Sequence, residues 1–485
     1  MLYYNAKNDK ISNRDKGNKI SRRVIHKMNK AKKIFFVGIG GTSVSGLAQM
    51  AKHNGYEVCG SDMRACIYTD KLIAKGIDVK IGHSYDNVPE DTDLLVHSAA
   101  INMNIPEMVY AKEHNIPCME RSYFLGELSK LYKKTIAVSG THGKTTTSSL
   151  TALLLLNASL DPSVSIGGTL EQINGNVRNG DSDYFVIEAC EFIDSFLRTE
   201  HFIGTILNIE EDHLDYFTGG IEQIASSFKK FADILPEDGL LIANGDDKCA
   251  VEIAKTVKAK VQTFGLLHCN DWYADNIKYD SVGKPSFEVY HNDKLYGSFS
   301  LNIPGQHNIM NSLSVIVCAD FLGIDIEIVK KTFLEFVGAK RRFEFKGEAK
   351  GIKVFEDYAH HPTELKVTIN ACKNYEHKKL WVVFQPHTYS RTSLLFNEFV
   401  DACADADEVI FNDIYSDREA NDWNIYSENV VEKIWKKYNI QSSVISSFDD
   451  IVKHISKNAQ SGDLVLVAGS QSINEVAVML VEELQ

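Results

Sequence analysis

The sequence has no apolar run approaching the roughly 20 residues needed to cross a bilayer. Its best candidate, Leu150 to Leu156, is short and broken by Thr151 and Ala152, so no membrane span is expected. Paired cysteines are missing too. The nine are an odd number, scattered from Cys59 to Cys403 without a C-x-x-C, which argues against a disulfide framework and fits reduced thiols in a cytoplasmic compartment. Nor is there an excess of positive charge: the formal net charge is −13, which opposes non-specific binding to nucleic acid. An anionic ligand must therefore be held by local donors. No repeat of solenoid period and no low-complexity tract occurs.

What is present is the material of an ordinary enzyme. With 485 residues, 44% hydrophobic and 24% charged, the chain is expected to form about three domains. Residues 1–33 are polar and basic, with Arg22, Arg23, Lys27, Lys30, Lys32 and Lys33, and read as a solvated extension. From Ile34 the pattern becomes strand, glycine turn, helix, strand, the start of a parallel α/β unit expected over 34–120. A second unit begins with the strand Thr135 to Val138 and a helix from Thr146 to Asn157, and is expected over 121–338. Within it, Asn270 to Leu301 alternates like antiparallel strands. The pattern restarts after Arg341-Arg342-Phe343, with strands at 352–355, 380–384 and 464–467, for a third unit over 339–485. The expected fold is α/β throughout: a Rossmann-like N-terminal domain, a central domain of P-loop ATPase type with a mostly parallel sheet, and a Rossmann-like C-terminal domain.

The strand and helix of the second unit flank Gly140-Thr141-His142-Gly143-Lys144-Thr145. Successive backbone N–H groups and a helix N-terminus can cradle a polyphosphate there, with Lys144 at the terminal phosphates and the Thr145 hydroxyl available to Mg²⁺. The general G-x-x-x-x-G-K-[ST] pattern is broken, because Val138 stands where its first glycine belongs. A second glycine loop, Gly38-Ile39-Gly40-Gly41-Thr42-Ser43, precedes Asp62 and resembles a dinucleotide fingerprint with Ser43 in place of the third glycine. Such a loop can hold NAD or the diphosphate of a nucleotide-sugar.

Other polar clusters end apolar strands. Glu188 follows Tyr184 to Ile187, and Asn208 to Asp215 contains His213; carboxylates and an imidazole beside a phosphate loop suggest Mg²⁺ ligands. Pro304-Gly305-Gln306-His307-Asn308 with Asn311, Asp357 to Pro362, and Gln385 to Arg391 are three more. His360 and His361 lack a third ligand at zinc spacing, and Arg391 suits a carboxylate or phosphate through its planar fork.

Read in order, these segments, with Ser45-Gly46-Leu47-Ala48 and His97 to Ile101, resemble the Mur ligase family over nearly the whole chain after the basic extension. The family's phosphate loop begins at a glycine matching Gly140, which accounts for Val138. The resemblance implies ATP-dependent formation of an amide through an acyl phosphate in peptidoglycan biosynthesis, with UDP-N-acetylmuramate, L-alanine and ATP as substrates and Mg²⁺ as cofactor. It implies that Lys144, Glu188 and His213 are catalytic, and that Thr145, Glu188 and His213 serve the metal. Gly140, Thr141, His142, Gly143, Lys144, Thr145 and Thr146 would bind ATP phosphates. His307, Asn308 and Asn311 would lie near adenine, and Arg342 and Asp357 would reach ATP from the third domain. Gly38, Gly40, Gly41, Asp62, His83 and Ser98 would bind the UDP-sugar, and His360 and Arg391 the alanine. Two alternatives stand beside this reading: a tripeptide-recycling ligase of the same family, and an NAD-dependent oxidoreductase suggested by Gly38 to Asp62 alone. Oligomeric state is left open.

Overall fold

Strands buried on both faces carry continuous apolar runs, and strands at a sheet edge do not. The first sheet shows both. In the computed structural model, which describes residues 31–98, 100–416 and 419–485, β1 (Lys33–Val37) runs up the middle of five parallel strands with Ile34, Phe35, Phe36 and Val37 all buried. Its companions are β2 (Glu57–Asp62), β3 (Asp78–Ile81), β4 (Leu94–His97) and β5 (Cys118–Glu120), in the order β3-β2-β1-β4-β5. β3 is four residues long and largely exposed, and its two apolar residues are too few to make a run. The basic extension expected over 1–33 lies, through residue 30, outside the described residues.

The second sheet has ten strands. Its parallel centre comprises β6 (Lys134–Ser139), β9 (Tyr184–Glu188), β10 (Ile203–Ile206), β11 (Leu240–Asn244) and β12 (Lys260–Gly265). At one edge β13 (Trp272–Tyr279), β14 (Pro285–His291) and β15 (Lys294–Ser300) pair antiparallel, where alternation in the sequence predicts it. At the other edge lies a hairpin that the sequence pattern does not announce, β7 (Ser163–Leu170) and β8 (Gly175–Arg178). The third sheet runs β16-β17-β21-β18-β19-β20, with β16 (Glu344–Ala349), β17 (Ile352–Asp357), β18 (Leu380–Phe384), β19 (Glu408–Phe411), β20 (Gln441–Val444) and β21 (Leu464–Ala468). Only β16 pairs antiparallel there. The architecture is three α/β units with parallel-rich sheets, as the sequence pattern predicts.

Register positions the chemistry. Val138 pairs with Glu188 and Ser139 with Ile206, so the carboxylate closing β9 and the loop following β10 emerge beside the glycine loop that follows β6. Ligands of open α/β sheets bind at such carboxyl ends. All nine cysteines are free thiols, and no helix among the described residues is long and apolar enough to cross a membrane.

The helix Arg121–Ser129 joins the first two sheets. Phe124 meets Phe36 edge-on at 5.5 Å between ring centroids, and Gly126 lies so close to the backbone of Arg198 that an added Cβ would stand 2.1 Å from its carbonyl oxygen. Alanine is intrinsically the better helix former by about 1 kcal/mol, yet here it must push two backbones apart at a cost of roughly 1–3 kcal/mol. Gly126→Ala is therefore expected to destabilise by up to about 2 kcal/mol and to lower the melting temperature by at most a few degrees; a raised one would contradict this packing.

Candidate active site

The phosphate loop needs its glycines. Gly140 (φ 143°) and Gly143 (φ 85°) adopt positive φ, and a Cβ on Gly143 would stand 2.5 Å from Asn311 Oδ1. Asn208 laces the loop to β10: its Oδ1 accepts from His142 N (2.7 Å), its Nδ2 donates to His142 O (3.1 Å), and its carbonyl accepts from Thr141 N (3.0 Å). The helix begins at Lys144, two residues before the pattern suggests. Lys144 Nζ donates to Gly140 O (2.6 Å) and Thr141 O (2.9 Å) and pairs with Glu191 Oε2 (2.9 Å). Burial works to lower its pKa, but the Glu191 carboxylate outweighs it and holds the ammonium above its ordinary value.

Glu188 and Thr145 meet across the β7 hairpin. Glu188 Oε2 accepts from Gly167 N at 2.8 Å. A Cβ on Gly167 would fall 2.6 Å from Glu188 Oε1, and one on Gly168 would fall 2.8 Å from Thr145 Cγ2. Glycine at 167 therefore leaves the Glu188 carboxylate uncovered, and glycine at 168 admits the Thr145 methyl. Nearby, ligand atoms of Glu191, Asp212 and His213 lie within 4.8 Å of one another. His213 sits at φ 52°, in the left-handed region, and burial lowers its pKa. This is an oxygen-rich donor set beside a phosphate loop, of the kind that holds Mg²⁺.

The third unit closes on the second through side chains. Arg391, 8% exposed, donates from Nε (3.0 Å) and Nη2 (2.7 Å) to Asp212 Oδ1 and from Nη1 to His387 O at 3.2 Å. Burial raises the Asp212 pKa, but the Arg391 guanidinium beside it holds the carboxyl well below its ordinary range. Arg391, Asp212, His213, Leu214, Leu394 and Leu395 line a small cavity of about 20 Å³. His360 lies nearby, its ring 6.1 Å from that of His387; its Nδ1 is 3.1 Å from Tyr358 O and 3.3 Å from Glu364 Oε2, and burial lowers its pKa to about 4.

His142 forms a second crossing. Its Nε2 is 3.4 Å from Glu210 Oε2 and its Nδ1 is 3.3 Å from Glu364 Oε1, while Thr363 Oγ1 donates to Glu210 Oε2 at 2.8 Å. Burial alone would lower the imidazole pKa, but bonding to Glu210 and Glu364 raises it to about 9. His142, Glu210 and His361 are close enough to hold a metal, yet His361 Nδ1 accepts from Thr363 N and Nε2 donates to Glu211 O, both at 3.2 Å. With both His361 nitrogens committed, the cluster is an ion-paired imidazolium.

Between the second and third sheets lies a cavity of about 510 Å³ lined by His142, Gly143, Thr146, His307, Asn308, Asn311, Arg342 and Asp357. The structure thus brings the residues expected at ATP from both units onto one surface, while Gly140, Thr141, Lys144 and Thr145 form the loop beside it. Asp357 accepts from Phe343 N (2.6 Å) and Ala359 N (2.7 Å), and burial raises its pKa to about 6. Arg342 Nη2 is 3.4 Å from Thr145 Oγ1.

A separate cavity of about 330 Å³ opens at the glycine loop of the first sheet, lined by Gly38, Gly41, Asp62, His83, Ser98 and also Arg121. Gly40 is not on its wall; its N–H donates to Asp62 Oδ2 at 2.8 Å and so fixes the loop. Arg121, whose Nη1 donates to Ser43 Oγ at 3.2 Å, is not singled out by the sequence, since no periodicity or motif marks it. Glu364 had a usable signal: His361-Pro362-Thr363-Glu364 has the spacing of a capping box, and the box forms.

Comparison with known proteins places these units in order. Residues 33–133 match the Mur ligase family catalytic domain, 138–319 the Mur ligase middle domain, and 341–471 the Mur ligase glutamate ligase domain. The chain is 44% identical over 452 residues to UDP-N-acetylmuramate--L-alanine ligase of Alkaliphilus metalliredigens, covering 93% of this chain and 97% of that protein. The chain belongs to the Mur ligase family. Its likeness to the enzyme of the same name from Clostridium novyi is 45% over 451 residues, again 93% of this chain and 97% of the relative. Among solved Mur ligase structures, UDP-N-acetylmuramate-alanine ligase of Thermotoga maritima superposes with a TM-score of 0.78 at 27% identity, covering 93% of this chain and 98% of that one. A murein peptide ligase from Psychrobacter arcticus gives 0.69 at 25% identity, with the same coverage.

Contacts across the cleft of this Mur ligase should respond to pH through His142. A histidine whose pKa rises from 6.5 to about 9 on folding contributes stability that is complete below 6.5 and is lost as pH climbs through 9, on the order of 3 kcal/mol at most. The melting temperature of the wild type should therefore exceed that of His142→Asn by a margin that shrinks between pH 6.5 and 9. A margin independent of pH would refute the ion pairing.

Proposed function

We propose that this protein joins L-alanine to the lactyl carboxylate of UDP-N-acetylmuramate, consuming ATP and releasing ADP and phosphate, in peptidoglycan synthesis. The observation that carries the reading is the likeness, at 44–45% identity and over 97% of their length, to ligases named for that reaction. The nucleotide substrates belong to the cytoplasm, and the reaction is placed there. Units over 34–120, 121–338 and 339–485 would bind the UDP-sugar, ATP and the amino acid respectively. An oxidoreductase reading of Gly38 to Asp62 has no place in a Mur ligase chain.

In this reading the UDP-sugar lies along Gly38, Gly40, Gly41, Asp62, His83 and Ser98, and Arg121 offsets its diphosphate charge. ATP occupies the cavity between the second and third sheets, with its base near His307, Asn308 and Asn311, its phosphates on Gly140 to Thr146, and Arg342 and Asp357 over it. Thr145, Glu188 and His213 would hold Mg²⁺, the lack of a side chain at Gly167 leaving the Glu188 carboxylate uncovered; when bound, the ion neutralises phosphate charge. Lys144 exchanges Glu191 for the γ-phosphate and stabilises charge as the muramate carboxylate attacks phosphorus and the bond to ADP breaks. The alanine amine then attacks the acyl phosphate carbonyl, and phosphate leaves. His360 and Arg391 hold the alanine, Arg391 giving up part of its pairing with Asp212 to the alanine carboxylate. Closure of the third unit keeps water from the acyl phosphate.

A ligase for a murein tripeptide would share both nucleotide sites. The relatives of 44–45% identity are named for alanine, whereas the murein peptide ligase is matched at 25%, and this supports alanine over a peptide. With ATP, Mg²⁺ and UDP-N-acetylmuramate, phosphate release should depend on alanine and not on the tripeptide; indifference to alanine would sink the proposal. Lys144→Ala should reduce turnover at least about a hundredfold and leave calorimetric binding of UDP-N-acetylmuramate nearly intact, because the two sites stand on different sheets. Arg121→Ala should raise KM for UDP-N-acetylmuramate about tenfold at little cost in kcat, as loss of a charge-assisted contact to bound substrate does.

A further inference from the structure

One charged side chain of the first unit is completely buried and has no part in the chemistry above. Glu107, 0% exposed, sits in the first turn of the helix Pro106–Glu113. Its Oε1 accepts from Ser61 Oγ (2.9 Å), Asn87 Nδ2 (2.9 Å) and Ser84 N (3.3 Å), and His83 Nδ1 stands 3.2 Å from both carboxylate oxygens. These donors come from the end of β2 and from the segment after β3. A buried carboxylate is tolerated only when hydrogen bonds replace its water. Burial pushes the Glu107 pKa up, but the bonds from Asn87, the backbone, Ser61 and His83 hold it below its ordinary value.

An ionised carboxylate only accepts, so His83 Nδ1 must donate to it. That leaves Nε2 as the ring atom available to a ligand, and none of the hydrogen bonds among the described residues uses it. His83 lines the cavity at the glycine loop with Gly38, Asp62, Ser98 and Arg121. Ser61 precedes Asp62, whose Oδ2 fixes Gly40. Through Ser61 and His83 a single buried carboxylate therefore braces two walls of the cavity.

We propose that Glu107 is a positioning residue for the sugar-nucleotide substrate, acting through His83: it sets the imidazole tautomer and orientation so that Nε2 hydrogen-bonds to the bound nucleotide. The inference rests on the reading of this cavity as the UDP-sugar site. A carboxylate that merely held the fold together would have the same partners, but its loss would not act through His83.

A double-mutant cycle separates the two roles. Glu107→Gln keeps the shape but replaces one acceptor oxygen by a donor, and His83→Ala removes the group it positions. Kinetics with UDP-N-acetylmuramate, ATP and alanine, and calorimetric binding of UDP-N-acetylmuramate, are measured on both single variants and the double variant. Glu107→Gln is expected to raise KM for UDP-N-acetylmuramate about tenfold while kcat and KM for ATP stay within about twofold, and the double variant should be no worse than His83→Ala alone. Additive losses in the double variant, or an unchanged KM in Glu107→Gln, would overturn the proposal. Should the glutamine variant fail to fold, Glu107→Asp, which retains the charge but withdraws it by one methylene, carries the same cycle with the same outcomes. Wild-type turnover of UDP-N-acetylmuramate is read first, so a failure of the substrate assignment is seen independently of the cycle.

Discussion

The most buried of the links that hold the third unit on the second is an ion pair, Arg391 of the third on Asp212 of the second. Neither group is tolerable alone in that environment: removing one partner of such a pair typically costs about 3–5 kcal/mol, because a bare charge remains buried. The pair therefore ties closure of the third unit to the electrostatics of the second. Asp212 adjoins His213, and its backbone segment also gives Glu210 and Glu211, which meet Thr363, His142 and His361. The loop after β10 is thus the surface against which the third unit docks, and the same loop lies beside the phosphate site. Docking and substrate chemistry share their residues.

The remaining cations of the site are handled alike. Lys144 is paired with Glu191, and His142 with Glu210 and Glu364. A chain of net charge −13 cannot draw a triphosphate in with a global field. It holds preformed cations on its own carboxylates, and on the proposed reading these exchange one anion for another when the nucleotide arrives. The desolvation cost of the cation is met in the fold, so binding has only to outcompete a carboxylate. On the same proposed reading the exchange orders events: Arg391 takes up the alanine carboxylate only by loosening its hold on Asp212, which couples amino-acid binding to the docking of the third unit.

How much of this the sequence discloses follows from which interactions are local. Centre strands such as β1, β6, β9, β18 and β21 are buried on both faces, and their apolar runs mark them plainly. Each glycine loop is a contiguous motif, and many residues that line the cavities beside the two loops lie in short polar clusters. Edge elements escape: β3 is four residues long and largely exposed, and in the β7–β8 hairpin Gly167, Gly168 and Gly175 cut the alternation short. The pairs that hold the cleft shut are equally invisible, because His142 and Glu364 are separated by 222 positions and Arg391 and Asp212 by 179. Residue type suggests a charge, and only the fold supplies its partner.

The β7 hairpin shows why such an element matters to chemistry. Gly167 has no side chain to cover the Glu188 carboxylate and donates its N–H to Glu188 Oε2, while Gly168 lies against the Thr145 methyl. From the opposite face, Val177 of β8 packs into the place a side chain on Gly46 would take, in the helix Thr42–His53 that follows the first glycine loop. One two-stranded edge therefore touches the helix after the first glycine loop, Glu188, and the helix after the second. A ligase that moves a phosphoryl group between substrates held on different sheets needs a fixed spacing between them, because small misplacements of reacting groups cost orders of magnitude in rate. The hairpin supplies that spacing by direct packing, and its value lies in the backbone approach that glycine permits more than in any side chain of its own.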